Sequence, residues 1–319
     1  MNSKVFAPSR RRIILLSVLA ALLVLVLAAI FLIRKMQQPS REEPHVETGS
    51  IEFFLDFPSQ WIEPRAMAVW LPDGYEPGEP CDVIYMHDGK MLFDAAISWN
   101  HKEWNVDGVA GRLMKEGAIH RCIVVGVNST EDRLDEYFPD KIGQYVTGPA
   151  AASVEKKHFK GDAYLHFLVK ELKPFIDDRY RPLTDREHTF IIGSSMGGLI
   201  SLYALCEYPA VFGGAGCLST HLSFLLPSVG RDGDAWAKAF TEYLREQLPE
   251  ANSCRVYMDH GTRSLDKAYD RYQPAVDAVF QEKGWDADHY RSLVFPGHSH
   301  TETAWSSRLD KALLFLCRP

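Results

Sequence analysis

Thr189-Phe190-Ile191-Ile192-Gly193-Ser194-Ser195-Met196-Gly197-Gly198-Leu199-Ile200-Ser201-Leu202-Tyr203 reads as a short buried strand, a glycine-flanked turn and the opening of a helix. Its centre, Gly193-Ser194-Ser195-Met196-Gly197, fits G-x-S-x-G, in which a serine sits on a tight strand-to-helix turn and small neighbours let the backbone pass. Five residues are a weak signal alone, and the flanking strand and helix supply the context that the pattern requires. In that setting Ser195 is the candidate nucleophile. The N–H of Met196, at the positive end of the helix, points to where an oxyanion would develop.

Outward from this turn, apolar runs rich in β-branched residues occur at 66–71, 83–86, 122–127, 189–192, 214–218, 255–258 and 292–295. Between them, 161–176 carries apolar residues at helical spacing, and 196–208 forms a helix stopped by Pro209. This alternation predicts an α/β fold, a mostly parallel central sheet with helices on both faces. Ligands bind such sheets at the carboxyl ends of the strands. The residues leaving the strands there are His87-Asp88-Gly89, Gly193-Ser194-Ser195, Asp259-His260-Gly261 and Gly297-His298-Ser299-His300.

A serine attacks poorly unless a base takes its proton, and in a strand-turn-helix site of this kind the histidine comes last in chain order. His298 and His300 both qualify by spacing. The acid belongs between nucleophile and histidine, where Asp259, Asp266 and Asp270 follow the run 255–258. Asp266 is the first choice, because Asp259 at the strand end suits bracing the turn at Gly261. Gly89, which has no side chain to block approach, is the candidate second oxyanion donor beside Met196.

Of the 319 residues, 46% are hydrophobic and 24% charged, enough for a sizeable core, and the net charge of -7 gives no basic surplus for nucleic acid. Residues 1–12 are basic and 13–33 are apolar apart from Ser17, long enough to span a bilayer and longer than a signal-peptide core. Residues 34–50 are polar and read as a linker, and 51–319 as one domain. The positive charges before the span predict a cytoplasmic N-terminus and an extracytoplasmic domain, periplasmic in a Gram-negative bacterium. The six cysteines lack CxxC or Cys/His ligand spacing, so buried thiols are expected, and neither a metal nor a cofactor is implied.

Five stretches carry a resemblance to a known family. They are Val69-Trp70-Leu71-Pro72 with Gly74-Tyr75; Tyr85-Met86-His87-Asp88-Gly89-Lys90-Met91-Leu92-Phe93-Asp94; Arg133 with Glu136-Tyr137; Gly193 to Gly198; and His300-Thr301-Glu302-Thr303-Ala304-Trp305. Together, over roughly 65–315, they make the chain similar to the esterase family of α/β-hydrolases that includes enterochelin esterase, esterase D, feruloyl esterase modules and the mycolyl transferases. Relatives usually read Tyr-Met-His-Asp-Gly-Gln-Asn-Leu-Phe-Asp, and this chain departs only at Lys90 and Met91.

The resemblance implies an α/β-hydrolase fold and an acyl-enzyme on Ser195. It selects His300 over His298, because the family's histidine precedes a Glu and then a Trp five positions on. Relatives often carry the acid within two or three residues of a Gly-Thr pair, whereas Gly261-Thr262 is followed only later by Asp266; some members work with a Ser-His dyad, which leaves the acid open.

The expected activity is hydrolysis of a small-molecule carboxylic ester. Acyl transfer at the same site and a binding domain on a retired hydrolase fold are the alternatives. Phe93, Trp99, Trp104 and Trp305 are candidates for an aromatic pocket wall, or else ordinary packing, and 222–236 for a small lid or an inert connection.

Overall fold

Alternation along the strands divides the apolar side chains between two cores, one on each face of a single sheet. The computed structural model describes residues 43–154, 158–226, 229 and 232–319. Its strands are β1 (Ser50–Phe57), β2 (Arg65–Leu71), β3 (Asp82–His87), β4 (Cys122–Val127), β5 (Thr189–Ser194), β6 (Gly214–Leu218), β7 (Arg255–Gly261) and β8 (Tyr290–Phe295). They lie in the order β1-β2-β4-β3-β5-β6-β7-β8. The β1–β2 and β2–β4 pairs are antiparallel, and every pair from β4 to β8 is parallel.

Seven strands fall on the expected apolar runs. β1 does not, because Glu52 and Asp56 interrupt its apolar residues and leave no long apolar run to announce it.

Val83, Tyr85, Ile123, Val125 and Ile191 point into one core, while Ile84, Met86, Val124 and Ile192 point into the other. The helices that cover them are α1 (Val106–Lys115), α2 (Gly161–His166), α3 (Lys173–Tyr180), α4 (Met196–Glu207), α5 (Gly233–Gln247), α6 (Gln273–Glu282) and α7 (Leu309–Leu316). α1 and α7 supply Val106, Ala110, Leu113, Leu309 and Leu313 to the second core, and α2 to α6 cover the first. α2 runs into α3 through a π-helical turn, Phe167–Leu172. α4 is buried along almost its whole length, as its all-round apolar sequence requires.

After β3 the chain forms β4 on one side, then crosses back to place β5 on the other. Such a switch opens a crevice at the carboxyl ends of the two strands, where His87-Asp88-Gly89 and Ser195 emerge. The loop after β4 fastens this region with two bidentate ion pairs. Arg133 donates from Nε and Nη2 to the Asp88 carboxylate at 2.6 and 2.8 Å. Glu136 accepts from Arg65 Nη1 and Nη2 at 2.8 and 2.7 Å, with both side chains almost fully buried. With the Asp88 N–H donating to the Tyr137 hydroxyl at 3.3 Å, these contacts give the Arg133, Glu136 and Tyr137 pattern a structural reason.

The chain is fastened to the domain ahead of β1: Glu47 N–H donates to Asp107 Oδ2 at 2.7 Å, and Trp70 Nε1 donates to the Thr48 carbonyl at 2.7 Å. The apolar segment 13–33 lies outside the described residues. Among the described residues no helix is long and apolar enough to cross a membrane. All six cysteines are buried and unpaired. Leu222, Phe224, Leu226 and Val229 are buried in the core, while Leu225 between them is 56% exposed.

Removing one member of a buried ion pair leaves the other charge uncompensated, at a cost of about 3–5 kcal/mol. Arg65→Leu is therefore expected to lower urea-unfolding stability by about that amount, and Arg65→Leu/Glu136→Leu to recover most of it. Equal stability of the single and double variants would show that the pair does not fasten this loop.

Candidate active site

Ser195 stands between β5 and α4 at φ 57°, ψ -120°, a backbone region that costs a non-glycine residue about 1–3 kcal/mol. Three backbone hydrogen bonds hold it there. Its N–H donates to the Leu218 carbonyl at 3.0 Å, and its carbonyl accepts from the Leu199 and His221 N–H groups at 3.1 Å each. The surrounding glycines are explained by space. A Cβ on Gly193 would lie 2.7 Å from the Gly197 carbonyl carbon and 2.8 Å from His87 Cδ2, and one on Gly198 would lie 2.8 Å from Thr220 Oγ1.

Met196 opens α4, so its N–H has no acceptor within the helix. Gly89 follows Asp88, which has φ 55° and is gripped by Arg133. A Cβ on Gly89 would come within 2.6 Å of Asn128 Oδ1 and 2.7 Å of the Gly126 carbonyl, so this loop lies directly against β4.

The structure brings Asp266 and His300 together. His300 Nδ1 lies 2.6 Å from Asp266 Oδ1, and Asp266 Oδ2 accepts from the Gly261 N–H and from Ser219 Oγ, both at 2.6 Å. Burial alone would raise this carboxyl; hydrogen bonds from His300, Ser219 and Gly261 outweigh it and hold it below its ordinary value. Asp266 is therefore an ionised acceptor, to which His300 Nδ1 donates. The ring is held edge to face against Trp305, at 5.0 Å between centroids. His298 is placed differently. Its carbonyl accepts from the Thr262 and Arg263 N–H groups at 3.0 Å, and its ring packs on Phe295.

Behind Asp266 lies a buried network that sequence reasoning missed. Ser219 Oγ accepts from Trp305 Nε1 at 2.9 Å and from Arg308 Nη2 at 2.6 Å while donating to Asp266. Arg308 is fully buried, 2.9 Å from Asp259 Oδ1 and 3.7 Å from Asp266 Oδ2. Asp259 also accepts from the Tyr257 hydroxyl at 3.0 Å, and burial pushes its carboxyl up to about 6 against the pull of Arg308. It faces Arg308 rather than His300, while Asp270 is exposed beside His260. No motif marks Ser219 or Arg308, which are 89 residues apart in the chain.

Tyr269 was also missed. Its buried hydroxyl lies 3.0 Å from His221 Nδ1, burial pushes that phenol well up while the neighbouring Ser195 side chain pulls it down, and its ring stands 5.9 Å from that of His300. Ser195 and His300 thus share Tyr269 as a neighbour and have no direct hydrogen bond to each other among the described contacts, a looseness common in sites without substrate. Burial and then the adjacent His300 push His221 down to about 4, so it stays a neutral imidazole.

Of the aromatic wall candidates, Phe93 and Trp104 are buried in the second core. Trp305 braces His300, and Trp99 is 81% exposed. Packing explains the first two. Among the described residues, the one grouping of histidine and carboxylate ligand atoms close enough to share an ion is Asp82, His120 and His188, at the opposite end of the sheet.

Comparison with known proteins supports the family and the fold. A family model described as "Putative esterase" matches residues 61–316. The uncharacterized protein YbbA of Bacillus subtilis (strain 168) is 23% identical over 264 residues, 79% of this chain and 92% of that protein. A ferulic acid esterase structure superposes with a TM-score of 0.62 at 21% identity, covering 84% of this chain and 98% of that one. The enterobactin esterase FES from Shigella flexneri superposes with a TM-score of 0.61 at 17% identity, covering 88% of this chain and 62% of that one. At these identities the structural likeness speaks for the fold.

Proposed function

The chain belongs to the "Putative esterase" family, and on that footing we propose that it is a serine hydrolase that cleaves a small-molecule carboxylic ester through an acyl-enzyme on Ser195. The observation that carries this reading is the strained φ 57° of Ser195 at the end of β5, at the same end of the sheet as a histidine whose Nδ1 is held by a buried carboxylate. Neighbours named for ferulic acid and for enterobactin support an ester as the substrate.

In this mechanism substrate entry turns Ser195 Oγ toward His300 Nε2. Oγ attacks the ester carbonyl as Nε2 takes its proton, and Asp266 stabilises the imidazolium without itself being protonated. The tetrahedral oxyanion is received by the N–H groups of Met196 and Gly89. Collapse breaks the bond to the alkoxy group, which leaves as the alcohol with the proton from Nε2. Water then gives up a proton to the same nitrogen and attacks the acyl-enzyme, releasing the acid and restoring Ser195.

Turnover of an activated aryl ester by the full chain tests these roles. Ser195→Ala and His300→Ala are expected to lower kcat by about 10^4-fold or more, and Asp266→Asn by about 10^2–10^4-fold. His298→Ala is expected to stay near wild type. Near-wild-type turnover in Ser195→Ala would reject the site, and the same result in Asp266→Asn would reduce it to a Ser-His dyad.

Membrane attachment through 13–33, with the domain on the outer side, belongs to the same proposal. It rests on the apolar length and on the four basic residues, Lys4, Arg10, Arg11 and Arg12, that precede the span. Protease added to intact spheroplasts is expected to digest the domain; protection there, with digestion after lysis, would place the domain inside.

A further inference from the structure

Three neighbouring strands enter the sheet side by side at the end remote from Ser195, and each brings one metal-ligand type. Asp82 is the first residue of β3, His120 precedes β4 by two positions and His188 precedes β5 by one. The register pairs Asp82 with Cys122 and Val83 with Thr189, which puts both histidines beside Asp82. His188 Nδ1 lies 2.6 Å from Asp82 Oδ1, and His120 Nδ1 lies 3.4 Å from Asp82 Oδ2. One ligand atom from each residue falls within 4.8 Å of the others.

The Asp82 carboxylate is 1% exposed, and its Oδ2 has no hydrogen-bond partner. A buried carboxylate left in this state is costly unless it is protonated or meets a cation. The neighbouring arginines are engaged elsewhere: Arg121 pairs with Glu79, and Arg255 donates to the Leu316 carbonyl at 2.8 Å. Among the described residues the two imidazoles face the carboxylate, and their side chains are 42% and 27% exposed, so the cluster opens to solvent on one side.

We propose that Asp82, His120 and His188 bind a divalent transition-metal ion of the zinc type, with water or an external ligand in the remaining position. Two imidazole nitrogens and one carboxylate oxygen form a donor set that suits such ions, whereas magnesium favours all-oxygen octahedral sites. The ion would replace the Asp82–His188 hydrogen bond, satisfy Oδ2 and tie together the entry ends of β3, β4 and β5. β3 is six residues long, so the site lies about 17 Å from the catalytic end of that strand. Its role is structural and is independent of the esterase reading. Sequence spacing concealed it because its ligands come from the entry ends of three strands far apart in the chain.

The test uses the tag-free full chain, stripped with chelator and then dialysed against Zn2+ or Mg2+. Metal analysis is expected to find about one zinc per chain and no retained magnesium, and zinc is expected to raise the melting temperature. His120→Ala and His188→Ala, checked as folded by circular dichroism before metal is added, are expected to bind zinc at least about 10-fold more weakly and to lose the rise in melting temperature. His120, the more exposed ligand, keeps the test available if His188→Ala fails to fold. No zinc uptake by wild type, or equal uptake by wild type and His120→Ala, would overturn the proposal.

Discussion

The backbone of Ser195, at φ 57°, is the constraint on which the rest of this end of the molecule depends. A serine does not remain in that conformation unless its surroundings over-determine it. Here Leu218, Leu199 and His221 fix it through the backbone, and Gly193 and Gly197 let the turn pass against itself and against His87. The same geometry lifts the side chain off the end of β5 and leaves the Met196 N–H at the head of a buried helix. Strain, donor placement and side-chain access are three consequences of one turn. Asp88, Ser219 and Ser264, in the loops after β3, β6 and β7, share this positive φ.

The second organising feature is a buried arginine. Arg308 carries its charge into a fully enclosed position and is compensated by Asp259 and by the Ser219–Asp266 arm. Two carboxylates beside one guanidinium are kept distinct by their hydrogen bonds. Asp259, raised to about 6 by burial, serves the network. Asp266, lowered by the donors around it, stays charged and faces His300. Trp305 joins both parts, since its indole N–H reaches Ser219 while its face positions the His300 ring.

How much of this was legible depended on whether a feature is local. Six of the seven apolar runs were readable because the strands they form, β2 to β7, are largely buried on both faces; β8, at a half-exposed edge, was readable from its unbroken Leu293-Val294-Phe295, whereas in β1 Glu52 and Asp56 interrupt the apolar residues. Ser195 was readable because glycine, serine and glycine must be close in the chain to make the turn. His300 needed the family pattern, since spacing alone left His298 equally placed; the structure separates them by giving His298 a backbone task. Asp266 was one of three candidates until the fold set it against Nδ1. Ser219, Arg308 and Tyr269 gave no signal, because a hydrogen-bond network among residues 47 to 89 positions apart exists only after the strands have assembled.

The central claim is that this geometry makes Ser195 an activated nucleophile. The most direct measurement is to incubate the full chain with a fluorophosphonate probe and map the modified peptide by mass spectrometry. The account predicts a single phosphonylated residue, Ser195, within the Thr189–Tyr203 stretch. A folded chain that stays unlabelled, or that is labelled at a different serine, would contradict it.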